Sequence, residues 1–421
     1  MMRGLLRDLL DAAIGAADAA RCLPPRLPPV PTGRLVVVGA GKAAAAMALA
    51  TARHYGERAS GVVVTRHGYG LRPGETAGAI TVLEADHPIP NAAAITAGDR
   101  MLDALDDLGD ADMVICLLSG GASALMERPA PGIALAEIQR VNRDLLASGA
   151  PIFDINVVRK HLSAIKGGRL AMAAWPARVW TFAISDVPGN DPSTIASGPT
   201  VADPTTCADA LSVLRRYAIP TSRAGEDGLK SGRLETPKPG DPRLDRSVFR
   251  LVATPGSAVI RASEAAKEGG WRVVDLGAAV EGEAIEIALR HADIALDLAA
   301  RGERAVILSG GELTVTHDGS GSGGPNREYA LALAVALQGR SGVWALAADT
   351  DGIDGAPDAA GAIATPDTLE RARAAGLDAD KALRRHDSGP FFQALGDDIV
   401  TGPTRTNVAD FRAIVVEGAL P

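Results

Sequence analysis

The chain has 421 residues, 47% hydrophobic and 22% charged, which is a globular composition long enough for two or three domains and for a core that needs no disulfide or metal. A net charge of −8 and an aromatic content of 3% argue against nucleic acid or an anionic membrane as partner, but leave room for a small anionic substrate held by a few local cations. Cys22, Cys116 and Cys207 are isolated, and Asp8, Asp11 and Asp18 interrupt the apolar N-terminal segment. No uncharged apolar stretch reaches the roughly 18 residues of a membrane helix, so the expected location is the cytoplasm.

Short runs rich in Val, Ile and Leu predict strands at 34–38, 61–65, 79–84, 112–118 and 178–184, then at 248–253, 271–276, 304–308, 312–316, 343–347 and 412–416. Helical patterns fall between them near 42–56, 92–107, 134–149, 156–174, 257–269, 281–301 and 326–338. This alternation predicts an α/β fold of mostly parallel strands joined by helical crossovers. Residues 220–247 are polar and rich in Gly, Pro and charge; they read as a linker or a loosely packed connection between domains spanning 1–235 and 245–421. A strand followed by Ser-Gly-Gly occurs in both halves, at 117–121 and 307–311, as do aspartate-rich loops at 186–191 and 349–354. Either the halves are related, with strand ends facing one cleft, or strand ends in a chain with 47 glycines look alike by chance.

Only seven of the 43 basic residues are lysines, so a lysine within a glycine-rich turn is a functional candidate. In RLVVVGAGKAAAA, Gly39, Gly41 and Ala44 satisfy GxGxxA at a strand-to-helix turn, where amides and the helix dipole favour an anion. A dinucleotide site also asks for an acid at the end of the next strand; Arg66 stands there, compatible at most with a 2′-phosphate. Lys42 in this turn is suited to a transferring phosphoryl or carboxylate group, the alternative being an exposed helix-start lysine. Ser119, Gly120, Gly121 and Ser123 form a second such turn, without the GxSxG pattern of a serine nucleophile.

Arg159, Lys160, Lys166 and Arg169 fall in one helical stretch, with Arg159 and Lys166 on a shared face, either as anion contacts or as a solvated basic surface. Asp186, Asp191, Asp349, Asp351 and Asp354 follow strands in Gly-containing loops; hard carboxylates there suit Mg²⁺, or one could act as a base, with turn capping as the plainer alternative. A Gly/Ser run at 319–324, a lid or anion cradle, precedes Pro325, Asn326, Arg327 and Glu328. Arg405 and Asn407 lie in a loop before the last strand. No HxxxH pair suggests zinc catalysis, and His87 and His161 read as structural or substrate-orienting.

Taken in order, GAGKAA, DHPIPN, LSGGASAL, NVVRKHLSAIKGG, SDVPGNDPSTIASGPT, SGGELTV, GGPNREYAL, DTDGIDG and TGPTRTNVAD resemble the class II glycerate kinases, whose C-terminal half is called the MOFRL domain. The resemblance implies a Rossmann-like N-terminal domain, a smaller α/β C-terminal domain, and an active site in the cleft between them. It also implies ATP- and Mg²⁺-dependent phosphorylation of D-glycerate at the 2-hydroxyl. Carried over by motif, Lys42 is the catalytic lysine, assisted by Asp186, Asp191 and Arg327. Ser119, Gly120, Gly121, Ser123, Arg159 and Lys160 are then the substrate contacts. Gly39, Gly41, Gly310, Gly311, Glu312, Asn326 and Asn407 are the nucleotide contacts, and Asp186, Asp191, Asp349 and Asp351 the metal ligands.

One departure matters: this chain reads GGPNRE where many members read GGRNQE, so Arg327 would have to replace an arginine lost at Pro325. Some members encoded with tartrate-degradation genes carry the name hydroxypyruvate reductase. The competing readings are an NAD(P)H-dependent reductase of hydroxypyruvate, resting on GxGxxA and Arg66, and a noncatalytic small-acid binding module that would use the same anion cradles. The expected partners are D-glycerate and ATP, with no nucleic acid and no membrane, and a homodimer is left open.

Overall fold

The computed structural model describes residues 1–316, 321–355 and 359–418. Two compact units form, one from Ala19–Val252 and one from Met1–Asp18 with Ala253–Pro421. This corrects the expected division at 235 and 245 in two ways. The helix Met2–Ala16 buries Leu6, Leu9, Leu10 and Ala13, and it belongs to the C-terminal unit, where Arg3 pairs with Asp397 and Thr406 donates to the Ala17 carbonyl. Residues 220–247 are no linker: Ser222 caps a helix Arg223–Lys230, and its own amide donates to Glu137 at 2.7 Å. The polar composition there serves side-chain bonds to neighbouring backbone rather than a mobile connection.

The unit Ala19–Val252 is built on six strands, β1 (Leu35–Ala40), β2 (Ala59–Arg66), β3 (Ala79–Ala85), β4 (Met113–Leu118), β5 (Arg178–Ile184) and β6 (Ser247–Ala253), in the order β3-β2-β1-β4-β5-β6. Strands β1 to β5 pair in parallel. β1 and β4 are buried along their whole length, as continuous apolar runs in a sheet covered on both faces must be. The strand order is that of the doubly wound Rossmann fold, and it reverses between β1 and β4, where such sheets bind ligands beyond their carboxyl ends. Ala40 and Leu118 are register partners, so the turns after β1 and β4 leave the sheet side by side.

The expected helix 156–174 is two helices, Ile152–Leu162 and Arg169–Ala173, separated by a loop in which Ser163 bridges to Pro129. Lys166 therefore does not share a helical face with Arg159.

In the second unit, β7 (Arg272–Asp275), β9 (Ala305–Gly311), β11 (Val343–Asp349), β12 (Gly361–Ala364), β13 (Asp398–Ile399) and β14 (Asp410–Val416) form a sheet ordered β13-β12-β11-β14-β9-β7. β8 (Gly282–Glu283) and β10 (Leu313–Thr314) pair separately. Mostly parallel pairing was expected, yet only β7 joins the larger sheet in parallel; β9, β14, β11, β12 and β13 are antiparallel in succession. The apolar pattern conceals this, because β9 and β14 are buried on both faces and read alike in either direction. The two Ser-Gly-Gly motifs thus sit on different topologies, the second inside β9 itself, so a shared architecture does not explain their likeness. Among the described residues, no helix is long and apolar enough to cross a membrane.

Candidate active site

The turns after β1 and β4 are tied together by three bonds. Ser119 N donates to Ala40 O at 3.1 Å, Lys42 N to Gly120 O at 2.9 Å, and Ala43 N to Ser119 Oγ at 2.9 Å. Gly41 has φ +129°, and a Cβ on it would overlap Ser119. A Cβ on Gly39 would likewise overlap the Leu117 carbonyl. These glycines therefore admit β4 and its turn, not a pyrophosphate. Gly41 N is already bonded to Val64 O, so with Lys42 N it is not turned toward a ligand. The packing of Gly39 and Gly41 against β4 and its turn thus explains these two glycines without a nucleotide. Lys42 remains at the switch point, half-buried, on a turn that its neighbours hold rigid.

Gly121, at φ +83°, continues the second turn into the short helix Ala122–Leu125. The ring of His87 rests against it: a Cβ on Gly121 would lie 3.1 Å from His87 Cδ2 and 3.3 Å from Nε2. Burial, and then the nearby charges of Lys42, Arg66 and Arg159, push the His87 imidazole down to about 3, so the ring is neutral at physiological pH. Charges from three elements thus act on one neutral imidazole: the turn after β1, the end of β2, and the helix Ile152–Leu162. Sequence reasoning gave Arg66 no place here except as a dinucleotide contact, and it read His87 only as structural or substrate-orienting. The recoverable signal was the DHPIPN loop, next in the chain after β3.

Arg159 donates from Nε to Asn142 Oδ1 at 2.6 Å, and burial lowers its pKa to about 10, which leaves it charged. Behind it lies a closed network: Lys166, wholly buried, pairs with Glu127 and donates to Met126 O, while Ser163 Oγ donates to Glu127 Oε1 at 2.6 Å. Lys160, expected to touch substrate, is instead buried against Asp203 at 2.9 Å. Asp203 also accepts from Thr205 and Thr236, so Lys160 anchors its helix to the 203–205 loop. Ser123 bonds Ser197 at 2.6 Å, and Ser197 donates to Asn156 at 3.0 Å, which fixes Ser123 as the donor to Ser197. Its hydroxyl braces the SGG turn against the 195–198 segment.

Asp186 is half-buried, two residues beyond β5. Asp191 is exposed and accepts from Ser193 N, Ser193 Oγ and Thr194 Oγ1. Burial pushes its pKa up, but these donors more than offset that and hold it below the ordinary carboxylate range. Such an arrangement is a self-capped turn. In the other unit, Asp349 accepts from Asp351 N, and Asp351, 1% exposed, accepts from Ile353 N, again as turn formers. The donor set of hard carboxylates suits Mg²⁺.

The residues expected to hold nucleotide in the C-terminal unit are mostly enclosed. Pro325 opens the helix Pro325–Leu337 at a position where its missing N–H costs nothing. Asn326 and Arg327 lie behind it, 1% and 0% exposed. Asp354 accepts from the amides of both, Arg327 Nη2 donates to Asp354 O at 3.1 Å, and Asn326 Nδ2 bonds Asp410 at 2.6 Å. Arg327 therefore holds the helix start to the 351–355 loop. Burial raises Asp354 to about 6. Gly310 and Gly311 end β9, where a Cβ on Gly311 would overlap Val280. Asn407 is buried and accepts from Ala409 N at 3.1 Å, while Glu312 is exposed. Part of the Gly/Ser run at 319–324 lies outside the described residues.

His161, Cys207 and Glu235 approach one another closely enough to suggest a metal. Glu235 already carries the ammonium of Lys238 at 2.5 Å, however, and His161 is tied to Val157 O and Glu235, so the group is a structural junction.

Comparison with known proteins agrees with this architecture. Residues 5–226 match a family described as a domain of unknown function (DUF4147), and residues 305–410 match the MOFRL family. A protein of Agrobacterium vitis with the provisional name hydroxypyruvate reductase is 50% identical, over 98% of this chain and 94% of its own length. The D-glycerate 2-kinase of Thermotoga maritima is 37% identical over 97% of each chain. A crystal structure of glycerate kinase from the same organism superposes with a TM-score of 0.89 at 36% identity, covering 99% of both chains. With a Rossmann-ordered first unit, a MOFRL-matching second unit and such relatives over nearly its whole length, the chain belongs to the class II glycerate kinase family.

Proposed function

We propose that this protein transfers the γ-phosphoryl group of ATP to the 2-hydroxyl of D-glycerate, giving 2-phospho-D-glycerate and ADP. The observation that carries this reading is the His87 ring against the Gly121 turn at the switch point of the sheet, with Lys42, Arg66 and Arg159 near enough for their charges to act on it. Positive charge from three residues suits a reaction that brings together a carboxylate and a transferring phosphoryl group. Phosphoryl transfer asks mainly for positioning and charge neutralisation, and a rigidly held Lys42 supplies both. Arg159, steadied by Asn142 and by the Glu127–Lys166 pair behind it, is suited to the substrate carboxylate. Mg²⁺, when bound, would neutralise charge on the phosphates, with Asp186 as its protein ligand.

The reductase reading has less support, because the glycines on which it depends are filled by β4 and the amides of its turn are already bonded. The test is ADP release with D-glycerate, ATP and Mg²⁺, product identification by ³¹P NMR, and hydroxypyruvate with NADH or NADPH in parallel. ADP with 2-phosphoglycerate, abolished by chelation and in Lys42→Ala, is the expected result. Oxidation of NAD(P)H without ADP would overturn the proposal.

A further inference from the structure

We propose that His87 is the general base that takes the proton from the attacking hydroxyl, and that substrate binding itself raises its basicity. This rests on the kinase reading above.

The loop that carries His87 is fastened on both sides. Asp86 accepts from Asn91 Nδ2 at 2.7 Å and faces His67 Nε2 at 3.4 Å; Asn91 Oδ1 caps the helix Ala92–Ala104 through Ala94 N; Gln139 Nε2 donates to Pro90 O at 2.9 Å. The nearest carboxylate in sequence, Asp86, is thereby engaged with His67 and Asn91. The charges that act on the imidazole are Lys42 from the turn after β1, Arg66 from the end of β2 and Arg159 from the helix Ile152–Leu162, all positive. Across the remaining side, the ring meets the backbone of Gly121.

In this setting the ring is neutral and a weak base. Glycerate brings a carboxylate and ATP brings phosphate oxygens; their negative charge offsets the three cations and so stabilises an imidazolium. The step balances. The 2-hydroxyl O–H bond breaks and its proton passes to an imidazole nitrogen, the oxygen forms a bond to the γ-phosphorus, and the bond from that phosphorus to the β–γ bridging oxygen breaks, its electron pair leaving with ADP. Of the aspartates beyond β5, Asp191 is exposed and committed to Ser193 and Thr194, and Asp186 is the one assigned to Mg²⁺ in the kinase reading.

The experiment pairs kinetics with NMR on the full chain. In wild type, the His87 ring resonance is followed against pH alone, with D-glycerate, and with D-glycerate plus Mg²⁺ and a nonhydrolysable ATP analogue. The expected result is a midpoint far below that of a free histidine, moving upward with each addition. In His87→Gln, kcat falls by about 10²–10⁴-fold with a much smaller change in the glycerate KM, and the acidic limb of the kcat–pH profile is lost. His87→Asn serves the same purpose if the glutamine variant does not fold. A ring midpoint unmoved by substrates, a variant whose kcat is kept while KM rises, or a persisting acidic limb would each overturn the role of His87. Wild-type protein that forms no 2-phosphoglycerate would instead bring down the kinase reading itself, so the two failures are distinguishable.

Discussion

Ser119 Oγ accepts the amide of Ala43 at 2.9 Å, which fastens the turn after β4 to the turn that presents Lys42. The hydroxyl has been drawn into the fold, and its effect on a substrate passes through the lysine. Ser119→Ala leaves a buried amide without its acceptor and is expected to cost about 1–2 kcal/mol in urea denaturation. Because Lys42 is then held less firmly, kcat should fall more than KM rises in steady-state assays.

Gly41 has no room for a side chain. Its φ of +129° and the position of Ser119 both oppose a Cβ. Gly41→Ala is expected to lower stability by about 3 kcal/mol or more, read as a fall in the denaturation midpoint. An alanine there without loss would mean that the two turns are not packed together as described.

Lys42 should not be replaceable by arginine. The turn between β1 and the helix Ala44–Tyr55 is tight, and a planar guanidinium cannot take the place of a compact ammonium within it. Both Lys42→Ala and Lys42→Arg are expected to lose turnover by about 10²-fold or more while circular dichroism and melting stay close to wild type. Recovery of near-normal kcat in the arginine variant would count against Lys42 as the residue that meets the moving phosphoryl group.

Glu127 and Lys166 form an ion pair in which both residues are almost inaccessible. Removing one partner leaves an uncompensated buried charge, so Glu127→Gln is expected to cost roughly 3–5 kcal/mol. The double variant Glu127→Leu/Lys166→Met should be more stable than either single variant. Equilibrium unfolding of all four proteins completes the cycle, and additive single effects would contradict the pairing.

His291 bonds Tyr329 Oη at 2.8 Å in the core of the C-terminal unit, and burial followed by the charges of Arg412 and Arg290 pushes its pKa down to about 4 from 6.5. A histidine whose folded pKa is depressed binds fewer protons folded than unfolded, so its contribution is present above pH 6.5 and is lost as pH falls toward 4. The change is worth on the order of 3 kcal/mol over that window. Urea midpoints measured between those limits should rise with pH in wild type and rise less in His291→Gln.

Every strand expected from the apolar runs is present; the central ones, such as β1, β4, β9 and β14, are buried along their whole length, and burial is what the pattern records. The strands that escaped reading, β8, β12 and β13, are two to four residues long, and the Gly-Ala-Ile-Ala of β12 carries too little apolar bulk to stand out. The helix Met2–Ala16 was visible only as spaced leucines, and its membership of the distant C-terminal unit involves partners nearly 400 residues away in the chain, such as Asp397. The polar segment 220–247 misled because side chains that bond neighbouring backbone have the same composition as side chains that bond water.

Sequence alone therefore determined the α/β class, the strand-to-helix turn with Lys42, and the family to which the motifs belong, since periodicity and local turn chemistry are short-range properties. Tertiary structure decided which charges remain at the switch point. Lys160, Lys166 and Arg327 look equivalent to Lys42 and Arg159 in a string of letters, yet each is buried beside a carboxylate supplied from elsewhere, at Asp203, Glu127 and Asp354. Arg66 and His87 join the site because parallel pairing sets the end of β2 beside that of β1 and the end of β3 beside that of β2. Burial and the placement of countercharges arise from contacts between distant segments, and no local pattern encodes them.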